Sequence, residues 1–374
     1  MPIQYLELNP WHKRQATLLY HFTSMEYLKG VLPLIDDLIQ YTDQILDERA
    51  KLDTIGLAKA GWKPHQTAGS FSTNAYPALV DFRESVVRQI ARRSFERYSS
   101  AGDTNLARML REYAPYLIWA THEQEAEFQQ RVEKILKYAA EISYILKRPT
   151  TLKDFIFWRK WQEYGHLFPR IPRFRVRSDV EANSGATPPR TGVYVPQEDP
   201  YAALQFAWTG GYGELGDTYT LNAFGQEALK KVGRSGLWGD EQGLLELIRL
   251  PQYHNLESID DTDREKAHLA PSAVSREGFE AHPCRWYFVE MVNDEYEEID
   301  GTYAGTRESQ PSDLHRQRRV AGGERVPQSG WWYTPAKEGS RRYFAKDAVF
   351  PVIEGSHYGE TLWQWSPDQS SPKL

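Results

Sequence analysis

The sequence predicts an α+β protein, with a helical bundle over residues 1–167 and short antiparallel strands with small helices over 191–374. Three observations carry this reading. Apolar residues in the first region recur at three- and four-residue steps, the period of a helix face. After Arg190 they alternate, or sit in short runs bounded by Gly and Pro, as strands do. Between the two, residues 168–190 carry Pro169, Pro172, Pro188 and Pro189 with Ser184 and Gly185, which reads as a Pro-rich connector. Amphipathic helices and aromatic strands each need an apolar cover, so the two regions can share one core.

Taken in order, the first stripe is Leu18, Phe22, Met25, Leu28, Leu32, Ile35 and Ile39. Pro33 lies inside it and should kink or split the helix, because proline has no amide donor. A second helix is expected over 77–97. Residues 105–147 give the clearest signal: Phe128, Val132, Ile135, Ala139, Ile142 and Leu146 keep one face, and Pro115 marks a break before them. A last helix fits 151–167. Beyond the connector, 192–195, 204–209, 218–221 and 284–292 read as strands. Residues 223–232 and 241–250 read as short helices, the first opened by Asn222 and closed by Gly233. The end of the chain is broken by Gly and Pro into short aromatic runs. Period two puts Thr361, Trp363 and Trp365 on one face, and Trp331, Trp332, Trp363 and Trp365 are expected to form a structural core.

With 374 residues, the chain can bury one large core or two ordinary ones, and 26% charged with 40% apolar residues is globular rather than disordered. One cysteine, Cys284, excludes an internal disulfide framework and suits a reducing compartment. The start shows no secretory signal, and no run approaches the ~20 apolar residues of a membrane span, so a soluble cytoplasmic protein without a membrane partner is expected. The net charge of −6 is uneven. Residues 1–180 hold 26 Lys+Arg against 21 Asp+Glu, and residues 181–374 hold 19 against 30. The acidic half repels nucleic acid and favours a basic protein partner.

Motifs of catalysis are weak. Gly211-Tyr-Gly213-Glu-Leu-Gly216 has dinucleotide-loop spacing, but Asp217-Thr-Tyr-Thr follows it instead of a helix, which favours a hairpin turn. Asp260, Asp261, Asp263 and Glu265 lack the glycine and terminal glutamate of a calcium loop and read as a solvated loop. The ten histidines show no metal-ligand spacing, so no metal and no cofactor are expected. Cys284 follows His282 and precedes Arg285, yet neighbours on a strand point to opposite faces, so a buried structural thiol is the better reading. The basic run Arg316, Arg318 and Arg319 reads as a solvated loop. The strongest cluster is Asp294, Glu295, Tyr296, Glu297, Glu298 and Asp300, placed just beyond the 284–292 strand. It reads either as a solvated hairpin tip or as an acidic patch for Lys and Arg of a partner, with Tyr296 as the aromatic anchor.

Two segments carry a resemblance. One runs Pro188-Pro-Arg-Thr-Gly-Val-Tyr-Val, then Asp199-Pro-Tyr-Ala-Ala-Leu-Gln-Phe-Ala-Trp-Thr-Gly, and on through Thr218-Tyr-Thr-Leu-Asn to Ala228-Leu-Lys-Lys-Val-Gly. The other runs from Val326-Pro-Gln-Ser-Gly-Trp-Trp-Tyr-Thr-Pro-Ala to Tyr358-Gly-Glu-Thr-Leu-Trp-Gln-Trp. Together they resemble the bacterial polymorphic-toxin immunity proteins of types 71 and 72, over much of residues 170–365. The family pattern carries Cys-Pro where this chain has Val326-Pro327. The resemblance implies a cytoplasmic antidote, not an enzyme, that binds and blocks a toxin delivered between competing bacteria by type VI secretion or an Rhs system. It implies a cognate toxin as partner and no catalytic residues. The alternative is an enzyme that reverses a toxin's modification, which requires a deep pocket with convergent polar groups.

Overall fold

The computed structural model describes residues 5–53, 68–114, 116–147, 152–197, 199, 201–298, 319–326, 329–334, 337, 340–353 and 361–365. The protein is α+β, with helices first and antiparallel sheets with short helices after them. It divides into two compact units: residues 1–233 with 240–303, and residues 234–239 with 304–374.

The first unit opens with β1 (Tyr5–Leu6) and α1 (Pro10–Thr23). Asn9 caps α1 by accepting from the His12 amide at 2.7 Å, and Pro10 fits the first turn because no amide is needed there. Ser24 ends α1 and caps α2 (Met25–Lys29), and Gly30 separates α2 from α3 (Val31–Asp53). The expected break at Pro33 therefore falls earlier, at Ser24 and Gly30, and Pro33 is accommodated in the first turn of α3. The restart changes the phase of the apolar stripe. In α3 it is Val31, Ile35 and Leu38 that are fully buried, while Leu32 and Ile39 are half-buried.

Next come α4 (Ala68–Asn74), α5 (Tyr76–Arg93), α6 (Asp103–Tyr113), α7 (His122–Lys147) and α8 (Asp154–Tyr164). In α7 all six stripe residues from Phe128 to Leu146 are buried. Then follow β2 (Arg170–Asn183), β3 (Gly192–Pro196), β4 (Gln205–Ala207) and β5 (Thr218–Leu221). Four short helices succeed them: α9 (Ala223–Gly236, broken at Gly233 with φ 70°), α10 (Glu241–Ile248), α11 (Asp261–Glu265) and α12 (Ala270–Glu277). The unit closes with β6 (Phe279–His282) and β7 (Arg285–Glu298).

The main sheet is antiparallel, in the order β1-β2-β7-β3-β4, and β5 pairs with β6 separately. The stretch read as a connector thus contains β2, a central strand of fourteen residues. One core joins helices before residue 167 to strands after it, from Leu18, Phe22 and Ile142 to Phe174, Val193 and Val289. Tyr20 of α1 donates its hydroxyl to the Val289 carbonyl of β7, which pins the helix to the sheet.

In the second unit β8 (Arg319–Ala321), β9 (Gly330–Tyr333), β10 (Arg342–Phe344) and β11 (Leu362–Trp365) form an antiparallel sheet ordered β10-β9-β11-β8. Its core is Val326, Trp332, Phe350 and Trp363. Phe350 sits between the two tryptophans, edge-on to Trp332 at 5.1 Å and stacked on Trp363 at 5.4 Å. Trp331 corrects the expected core set: alternation turns it to the other face, half-exposed, where Tyr343 meets its ring edge-on at 5.9 Å and the Arg341 guanidinium lies 4.7 Å from its centroid. The Trp365 backbone pairs with Trp332, and the Trp365 side chain lies outside the described residues.

Candidate functional site

β2 and β7 pair along their full length, from Arg170 opposite Glu298 to Asn183 opposite Arg285. Among the described residues β1 reaches only Val176 and Arg177, and β3 reaches only Trp286 to Val289. Beyond Phe174 and Met291 the pair therefore continues as a two-stranded ribbon among the described residues. A bulge separates the Phe174–Met291 pair from the Pro172–Tyr296 pair, and within it Asp294 takes a left-handed φ of 61°.

Alternation sorts the ribbon's side chains. Ile171, Phe174 and Val176 point into the core, and the arginines between them point out. Arg173 donates to Glu295 at 3.1 Å, and Arg175 approaches the same carboxylate at 3.8 Å. Arg177 donates to Glu290 at 3.0 Å and grips both oxygens of Asp179 at 2.8 and 2.7 Å. That bidentate hold keeps the Asp179 carboxyl below the usual range. The Arg170 guanidinium lies 5.8 Å from the ring centroid of Tyr296, which is 59% exposed. Glu297 turns the other way and pairs with Lys13 of α1 at 2.7 Å.

The acidic cluster is therefore not a hairpin tip. The strand expected to stop at Val292 runs on to Glu298, and Glu295 and Glu297 are already paired with cations. Asp300 lies outside the described residues. The sequence reading missed Arg170, Arg173, Arg175 and Arg177, although Arg173-Phe-Arg-Val-Arg177 alternates cleanly. Pro172 and the neighbouring prolines hid that alternation. A ribbon with an open edge tolerates proline, which a fully paired strand does not. The acidic excess is also narrower than the half-chain count suggests. Residues 181–303 hold nine Lys+Arg against 22 Asp+Glu, and residues 304–374 hold ten against eight.

Other polar groups are engaged within the fold. Asp154, fully buried, accepts from the Trp11 indole and from Gln15 at 2.9 Å, while Gln15 accepts from the Leu204 amide at 3.0 Å. Lys160 pairs with Glu141, which also accepts from Tyr164 at 3.1 Å. Arg93, 5% exposed, donates to the Thr23 and Ser24 carbonyls at the end of α1, and burial lowers its pKa to about 10. Cys284 is half-buried, and burial pushes its thiol up to about 11. Gly211 to Gly216 forms a loop between strands of different sheets, not a hairpin. Its Gly211 and Gly213 carbonyls accept from the Trp208 indole and backbone at 3.2 and 3.1 Å. Asp260 and Asp263 form a capping box at the start of α11, in place of the expected loop.

Among the described residues no group of three or more His, Cys, Asp or Glu is placed to hold a metal ion, and no helix is long and apolar enough to cross a membrane. Comparison with known proteins returns no match to a family model, a curated protein or a solved structure.

Proposed function

We propose that this chain is an immunity-type binding protein that neutralises a cognate bacterial toxin in the cytoplasm by forming a protein–protein complex. The outer face of the β2–β7 ribbon is its contact surface. One observation carries the reading: exposed Tyr296, flanked by Arg170, projects beside a ladder of Arg173, Arg175 and Arg177 with Glu290 and Glu295. Tyr and Arg are residue types enriched at the centres of interfaces. Exposed ion pairs are each worth about 0–1 kcal/mol, so they exchange readily for contacts to a partner. The sequence resemblance supplies the kind of partner, and a mixed-charge ladder suits a partner that offers both signs of charge.

The test uses the product of the gene immediately upstream as the candidate toxin. Co-purification and protection of cells are measured for the wild type, for Tyr296→Ala and for Arg173→Ala/Arg175→Ala. Loss of at least tenfold in affinity with an unchanged melting temperature is expected. Full binding by both variants removes the ribbon as the contact surface, and absence of binding and protection by the wild type removes the immunity reading.

A further inference from the structure

We propose that a cleft at the start of α1 binds a primary ammonium or guanidinium group carried on an aliphatic stem. The cleft, about 280 Å³, opens between the start of α1 and the ends of β3 and its neighbours. Its volume suits one long side chain rather than a nucleotide, since sites for drug-sized ligands start near ~300 Å³. Leu8, Val195, Pro196 and Tyr287 supply apolar wall, Glu7 and Asp199 supply carboxylates, and among the described residues no lysine or arginine lines it.

The sign of the preferred ligand follows from what surrounds the carboxylates. A helix start ordinarily favours an anion, because its first amides are free. Here those amides are largely removed. Pro10 has none, the His12 amide donates to Asn9 Oδ1 at 2.7 Å, and the Lys13 amide donates to the Asn9 carbonyl at 3.0 Å. The Lys13 ammonium is turned away to Glu297.

His12, 5% exposed, lines the cleft with both ring nitrogens engaged. Nε2 lies 3.0 Å from the Ala202 carbonyl, which only accepts, so Nε2 carries the proton. Nδ1 lies 3.2 Å from the Asn9 amide nitrogen, which only donates, so Nδ1 accepts. Asp199 Oδ1 accepts from the Tyr201 amide at 2.7 Å, which anchors this carboxylate at the cleft wall. Glu7 and Asp199 are the carboxylates among the described lining residues, and a cation with an apolar stem matches both halves of the site. Such a group comes either from a free amine or from a Lys or Arg side chain of another protein. This inference does not rest on the ribbon reading.

The full chain, labelled at Leu and Val methyls, is titrated by NMR with n-butylammonium, n-butanol, butyrate and Nα-acetyl-lysine methylamide. The ammonium probes are expected to shift the Leu8 and Val195 resonances saturably, with Kd on the order of millimolar. The alcohol should bind at least tenfold more weakly. Glu7→Gln/Asp199→Asn should weaken the ammonium probes at least tenfold, because both changes keep shape and an acceptor while removing charge. Saturable shifts with both ammonium probes indicate a site for free amines as well. Shifts with the lysine amide alone indicate a protein side chain. Equal affinity for alcohol and ammonium, tighter binding of butyrate, or saturable shifts only elsewhere overturns the proposal. If the double variant loses its fold, the comparison of alcohol with ammonium on the wild type decides.

Discussion

Tyr27 and Tyr138 lie face to face, with ring centroids 4.1 Å apart and planes 5° from parallel, and each hydroxyl donates to the other's backbone carbonyl, at 3.3 and 3.1 Å. This reciprocal clasp fastens α2 to the middle of α7. Gly30 is part of it, because a Cβ there would overlap the Tyr138 hydroxyl. Gly30→Ala is expected to cost about 1–3 kcal/mol, the usual range for overpacking. Adding Tyr138→Phe should return part of that loss by removing the overlapping oxygen. Urea melts of the single and double variants measure both, and a Gly30→Ala protein as stable as the wild type would contradict the clasp.

Alkaline pH should unfold the protein through its buried phenols. Tyr194 is fully buried, donates to the Arg190 carbonyl at 2.7 Å, and is pushed by burial up to about 12. An unfolded tyrosine ionises near ~10. Below that pH both states keep the proton, and the contribution of Tyr194 is complete. Between about pH 10 and 12 the unfolded chain releases a proton that the folded chain retains, so stability falls by up to about 1.4 kcal/mol per pH unit for this residue. Chemical melts at pH 9, 10 and 11 should show the decline, and Tyr194→Phe should make its slope shallower. An equal slope in the variant would exclude Tyr194 as a source.

The tryptophans of the second unit should separate by face. Trp332→Ala and Trp363→Ala each empty space around Phe350 and are expected to cost about 3–5 kcal/mol. Trp331→Ala, on the half-exposed face, should cost about 1 kcal/mol. Thermal melts of the three variants give the order, and a Trp331 effect as large as that of Trp363 would refute the assignment of faces.

On the ribbon, reversing charge is not a neutral probe. Glu295→Lys sets a cation against Arg173 and Arg175, and Glu297→Lys sets one against Lys13. Both should lower stability in low salt and regain part of it at high salt, where the Debye length falls to about 3 Å near 1 M. Glu298→Gln and Tyr296→Ala should leave the melting temperature nearly unchanged. Differential scanning calorimetry at two salt concentrations separates the two classes, and identical behaviour of all four variants would mean that the ion pairs do not form in solution.

Cys284 should be a slow thiol. It lies beside Ser184 and Thr218, and burial raises its pKa to about 11. Its thiolate fraction at pH 8 is then on the order of a hundredfold below that of a free cysteine. Alkylation by iodoacetamide, timed against a small-molecule thiol, should be slower by at least that factor while the protein is folded, and comparable rates would contradict the burial.

Helices were legible where one face was continuous, as from Phe128 to Leu146, because the 3.6-residue period survives any tertiary setting. The strands at 192, 218 and 285 were legible from short apolar runs between turn residues. What escaped was whatever depended on partners distant in sequence. β2 was hidden because its prolines are local signals, whereas its pairing with β7 is not. The carboxylates of residues 294–298 looked unattached because Arg173 and Arg175 approach them from 120 or so positions away. Trp331 and Trp332 could not be told apart until Phe350 fixed which face of β9 is covered.

The pairing of Arg170–Asn183 with Arg285–Glu298 also sets an order of events during synthesis. Helix α1 packs on β2 and β3 and reaches β7 through Tyr20, and β7 is the last strand of the first unit to leave the ribosome. At ~5–20 residues per second, α1 waits on the order of tens of seconds for that strand. During that interval Tyr20, which ends stacked on Phe174 and bonded to the Val289 carbonyl, is available to chaperones and to other nascent chains, and a chain cut before residue 285 retains α1 but never receives β7.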